Sequence, residues 1–149
     1  MTIVVRIAAW IGGLALVVAT ATNTLAVIGR RTGLPLHGAI EIVQVCVLIA
    51  GGIALVLATG WDAHARIRLI LDRIGERPRA VGLRICAALA GVTFAALCVG
   101  SAWIASDLWR AHEMSEILGI SWQPLRAFAT AAMAVVAGLF LWSAVRPQR

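Results

Sequence analysis

The sequence predicts an all-α membrane protein: four transmembrane helices, with an amphipathic helix in the membrane interface between the second and the third. Three observations carry this fold class. Hydrophobic residues make up 61% of the 149-residue chain and charged residues only 13%, about half the charge of an ordinary soluble domain. The apolar residues gather into four stretches, at about 7–29, 38–60, 81–106 and 122–145. Each reaches the ~20 residues that a helix needs to cross a ~30 Å hydrocarbon layer. Short arginine-bearing segments separate them, and backbone polar groups cannot stay unpaired in lipid, so the runs are helical. No segment between them is long enough for a separate soluble domain, and we read residues 1–149 as one membrane domain.

The first stretch ends at Gly29-Arg30-Arg31, and Thr32-Gly33-Leu34-Pro35 reads as a turn because Gly and Pro break helices. So short a connection makes the first two helices antiparallel neighbours. The amino-terminal stretch has a second reading. Arg6, an apolar core and Ala19-Thr20-Ala21 loosely fit a cleavable secretory signal. The apolar run continues through residues 25–28, past that site, which favours a retained helix.

Residues 62–75 differ in kind from the spans. Ala63, Ile67, Ile70, Leu71 and Ile74 recur at helical spacing and share one face, while His64, Arg66, Arg68, Asp72 and Arg73 occupy the rest. That pattern predicts a helix lying in the membrane interface, with its arginines against lipid headgroups. Gly75-Glu76-Arg77-Pro78 ends it, and Pro78 suits the first turn of the third span. After the third span comes an outer loop at 112–120; Asp107, Glu113 and Glu116 flank this loop and are expected to be solvated. Ser121 is expected to cap the last helix, with Pro124 in its first turn. Trp122 and Trp142 stand twenty residues apart, or ~30 Å along a helix, so both can sit at opposite interfaces.

All 13 basic residues are arginine, and the net charge is +6. The arginines punctuate the spans and form no basic surface, so nucleic acid is excluded as a partner. They read instead as topology signals. The amino terminus, the segment between spans two and three and the carboxyl terminus hold Arg6, Arg66, Arg68, Arg73, Arg77, Arg79, Arg84, Arg146 and Arg149. The other side holds Arg30, Arg31, Arg110 and Arg126. The positive-inside rule places both termini in the cytoplasm. Cys46, Cys86 and Cys98 all fall within spans as an odd set with no close pair. They are expected to be packing residues rather than a disulfide or metal framework. Paired alanines and glycines, such as Gly51-Gly52 and Ala90-Gly91, permit close helix approach.

Few polar residues fall inside the spans. Thr20, Thr22, Asn23 and Thr24 cluster in the outward half of the first, and Glu41 and Gln44 lie in the first turns of the second. Asn23 and Gln44 sit at matching depths of ~9 Å, so an amide–amide hydrogen bond between neighbouring helices is expected. Glu41 lies shallower, within reach of Arg30 or Arg31. Asn23, Arg30, Glu41 and Gln44 are therefore the candidates for helix–helix pairing or subunit contact, and His64, Arg66, Arg68 and Arg73 for lipid contact. An ionisable residue in a span is a functional hypothesis by default, but a proton-coupled carrier needs a carboxylate nearer mid-depth than Glu41. His37, His64 and His112 fall outside the spans, so no pair brackets a haem. Nothing in the pattern calls for a catalytic residue, a metal or another cofactor.

Read in order, these residues resemble the small membrane subunit, the DctQ type, of tripartite ATP-independent periplasmic (TRAP) transporters. Asn23 followed by Arg30 looks like that family's Asn-x-x-x-Arg region, with longer spacing. Leu34-Pro35 with Gly38-Ala39-Ile40-Glu41-Ile42-Val43 looks like its Pro, then Gly-x-x-Glu-Leu approach to the second helix. His64-Ala65-Arg66-Ile67 with Leu71-Asp72-Arg73-Ile74 resembles its interface segment, although Arg68 stands where the family often has Asp. Ser115 with Leu118-Gly119-Ile120 resembles its Ser-x-x-Leu-Gly-Ile-Pro stretch, with the proline displaced to Pro124. The resemblance covers roughly residues 15–145. It implies a sodium-driven importer of organic acids in a bacterial inner membrane. In it, a periplasmic substrate-binding protein delivers cargo to a large membrane subunit, and the small subunit acts as a scaffold. An autonomous four-helix, proton-coupled exporter acting as a homodimer through Glu41 is the alternative. The small subunit of tripartite tricarboxylate transporters is a near relative in architecture.

Overall fold

The computed structural model describes residues 3–61, 76–111 and 113–145, with side chains from residue 81 onward in the second segment. Its described residues are helical, with no strand beyond one isolated bridge. Four helices carry the fold: α1 (Ile3–Thr32), α2 (Ala39–Gly60), α3 (Glu76–Asp107) and α4 (Gln123–Val145), with a single 3-10 turn at Trp109–Ala111 after α3. All four are long and apolar enough to cross a membrane. The predicted interfacial helix at 62–75, with His64, Arg66, Arg68 and Arg73, lies outside the described residues.

Helix ends follow local chemistry more than the apolar runs do. At 30 residues, α1 extends past the predicted stretch at both ends, through residues 3–6 at the start and 30–32 at the finish. Arg30 and Arg31 lie in its last turn, where cations meet the negative end of the helix dipole. The helix then stops in a Schellman-type turn. Gly33 is left-handed at φ 81°, and the Leu34 N–H donates to the Gly29 carbonyl at 2.9 Å. A Cβ on Gly29 would sit 2.3 Å from the Leu34 carbonyl oxygen, so only glycine permits the chain to fold back there.

The last helix begins differently from expectation. Ser121 does not cap it; its backbone pairs with Met114 across the loop between α3 and α4. The helix starts at Gln123, and the Arg126 N–H donates to the Trp122 carbonyl at 3.0 Å. The Gln123 side chain donates to the Trp109 carbonyl at 2.6 Å, tying the start of α4 to the end of α3. Loop pairing has outcompeted the serine cap.

In space the helices run α1, α2, α4, α3, each packed on the next, with α1 and α3 at the two edges. The seams are made of small residues. Ala19, Ala26, Ala39, Ala50, Ala87, Ala132 and Ala137 are buried, and Val136 is wholly so. A Cβ on Gly91 would meet Leu141 at 2.8 Å, and one on Gly52 would meet the Phe128 ring at 2.7 Å. Without a hydrophobic drive between helices in lipid, such close backbone contact supplies the association energy through dispersion. Only 6–17% of each span's most apolar window is buried within the chain. Most of the helix surface therefore meets something outside it.

Candidate functional site

Four polar residues of the spans, Asn23, Arg30, Glu41 and Gln44, gather at one end of the layer, where α1 turns into α2 and the loop between α3 and α4 folds over. Gly38 opens α2 in a left-handed conformation (φ 79°, ψ 2°). Its lack of a side chain seats Leu118 of the loop, whose Cγ would be 2.9 Å from a Cβ there. One turn on, Glu41 points into the same loop. Its carboxylate accepts the Ile117 N–H at 3.0 Å and the Leu118 N–H at 2.9 Å. Hydrogen bonds to an ionised acceptor are about twice as strong as neutral ones. Glu41 sits in the first turn of α2, where the helix dipole also favours its negative charge.

The loop that Glu41 grips is bonded throughout. The Ser115 N–H donates to the Ile120 carbonyl (2.9 Å), and the Gly119 N–H to the Ser115 carbonyl (3.2 Å). The Ile120 N–H donates to the buried Ser115 hydroxyl at 3.0 Å. The Trp122 N–H donates to the Glu113 carbonyl, and the Glu113 carboxylate pairs with Arg126. Glu113 is thus an ion-pair partner of α4 rather than a solvated loop charge. Asp107 likewise accepts the Trp103 indole N–H at 2.9 Å.

Asn23, Arg30, Glu41 and Gln44 are brought together: all line one cleft of about 790 Å³, with the 35–38 turn and the loop from Met114 to Ile117. They are not joined to each other as expected. Glu41 is turned to the loop amides, and the Arg30 Nε–H donates to the Ala26 carbonyl at 3.3 Å within its own helix. Asn23 and Gln44 are both exposed in the cleft, and no hydrogen bond joins them among the described residues. What the sequence reasoning missed is Ser115 and the amides of Ile117 and Leu118. The motif spacing Ser115, Leu118, Gly119 carried the only signal for them.

Fold and site together define a multi-pass helical membrane protein whose buried carboxylate is used to hold its own chain. The chain belongs to the DctQ component family of the tripartite ATP-independent periplasmic transporters, whose model matches residues 19–148. That family supplies the small subunit of TRAP transporters, working with a large membrane subunit and a substrate-binding protein, and is generally not an enzyme family. Neither the curated proteins nor the solved structures compared with the chain contain a match.

Proposed function

We propose that this protein is the scaffold-like small permease subunit of a sodium-coupled, binding-protein-dependent importer of organic acids. It forms one membrane domain in a bacterial inner membrane, with both termini cytoplasmic. The match to the small-subunit family across residues 19–148 carries the reading. The disposition of charge supports a scaffold rather than a carrier. Among the described residues, the arginine and carboxylate side chains of the four helices lie toward helix ends: Arg6, Arg30, Arg31, Glu41, Arg84, Asp107 and Arg126. A path for ions or acids needs such groups near mid-depth. Glu41, the one buried carboxylate among the described residues, is occupied by two backbone N–H groups, which argues against its serving as a coupling site for proton-driven export.

Reconstitution tests this directly. Proteoliposomes holding this chain alone are expected to show no organic-acid uptake under a sodium gradient. Those holding it with its large membrane subunit and binding protein are expected to take the acid up. Uptake or proton-linked efflux by the chain alone defeats the reading.

A further inference from the structure

We propose that the cleft between the outer ends of α1 and α2 is where the large membrane subunit packs. Its occupying helix brings a carboxylate to Arg30 and hydrogen-bonding groups to Asn23 and Gln44. The inference rests on the scaffold reading above and adds to it which face of the layer is covered and by what chemistry.

Some polar groups of α1 and α2 remain unsatisfied within the described residues. Two of the threonine hydroxyls of α1 close bonds on their own helix: Thr20 donates to the Leu16 carbonyl and Thr24 to the Thr20 carbonyl, both at 2.9 Å. Asn23 and Gln44 do not, and they are exposed. Arg30 makes no ion pair among the described residues, since Glu41 is committed to the loop. These three groups are not scattered. Asn23 and Arg30 lie seven residues apart on one face of α1, two turns or ~10 Å along the axis. Gln44 lies on one face of α2 with Ile40 and Val47, which are 75% and 52% exposed. All but Val47 line the same half-open cleft.

Depth selects the occupant. A lipid phosphate at the membrane surface reaches Arg30. Asn23 and Gln44 lie deeper, where acyl chains offer neither donor nor acceptor and an unpaired amide is costly. A neighbouring helix with polar side chains can satisfy all three groups at once. The cleft volume of about 790 Å³ accommodates several side chains. Glu41 takes the role of positioning residue, holding the loop from Met114 to Ile117 as the outer wall of the cleft.

Photo-crosslinking in the assembled complex tests the proposal without disturbing the polar groups. A photoreactive residue replaces Ile40 or Val47 on the cleft face, or Leu89 or Val99 on the exposed surface of α3. Adducts with the large subunit are expected from positions 40 and 47 and not from 89 and 99. In parallel, Arg30→Glu is expected to lower recovery of the large subunit about tenfold or more. Copurification with adducts only from 89 and 99, or only lipid adducts from 40 and 47, overturns this assignment and leaves the scaffold function standing. Failure of any large subunit to copurify with the unmodified chain defeats the scaffold function itself, and this inference with it.

Discussion

The α3–α4 pair and the α1–α2 pair solve the same problem differently. Between α3 and α4, polar groups are satisfied inside the pair. The Ser101 and Thr130 hydroxyls share a 2.7 Å hydrogen bond, and the Cys98 thiol donates to the Thr130 carbonyl at 3.7 Å. Apolar contact completes that seam: Leu141 lies over Gly91, and the Phe94 and Phe140 rings stack at 5.8 Å. Between α1 and α2 the apolar half is also packed, with a Cβ on Gly12 falling at ordinary contact distance, 3.5 Å, from Ile53. The half nearest the α1–α2 turn is not closed. It opens into a cleft that displays Asn23, Arg30 and Gln44. One pair is self-sufficient; the other is built to be completed from outside.

Breaking each pair separately sharpens that contrast, and the largest effect is expected at the α1–α2 turn. Gly29→Ala drives a Cβ against the Leu34 carbonyl oxygen, a backbone atom that cannot swing away. A loss of roughly 2–4 kcal/mol is expected in detergent unfolding; an unchanged unfolding midpoint contradicts the turn described. Gly91→Val next challenges the self-sufficient pair. Leu141 is the far end of a side chain and can partly yield, so about 1–3 kcal/mol is expected. That loss should appear in the isolated chain and in the complex alike.

Glu41→Gln probes the clamp that joins the two pairs. A carboxamide offers one acceptor where the loop needs two, so one of the Ile117 and Leu118 N–H groups loses its partner. Hydrogen exchange at these two amides is expected to speed about tenfold or more, while helix amides are unaffected. Equal exchange before and after the substitution means that Glu41 does not hold the loop. The smallest effect on folding is expected from Asn23→Leu with Gln44→Leu. Neither amide has a partner within the chain, and hydrogen bonds of this kind average well under ~1 kcal/mol in measured bundles. Folding yield should hold while assembly with the large subunit weakens; a collapse in yield assigns the amides a role inside the bundle.

The same contrast explains what could be read from the sequence. The four helices were readable because their signal is one-dimensional: each apolar run is as long as the bilayer is thick. The stop after Arg31 was readable too, since Gly33 and Pro35 act on their immediate neighbours. The matching depths of Asn23 and Gln44 could be read from antiparallel helices, but the pairings expected among Asn23, Arg30, Glu41 and Gln44 do not form; the four share a cleft instead. The partner of Glu41 did not. Its acceptors face backbone amides 76 and 77 residues away, and backbone groups leave no mark in a sequence. Ser121 misled for a related reason: the side chain suits a cap, but pairing of its backbone with Met114 decided where α4 starts.

Native mass spectrometry of the chain coexpressed with its large membrane subunit tests the central claim most directly. The account predicts a stable heteromer that survives extraction and loses the large subunit when the cleft face carries Arg30→Glu. A chain that extracts instead as a homodimer and moves solute unaided contradicts it.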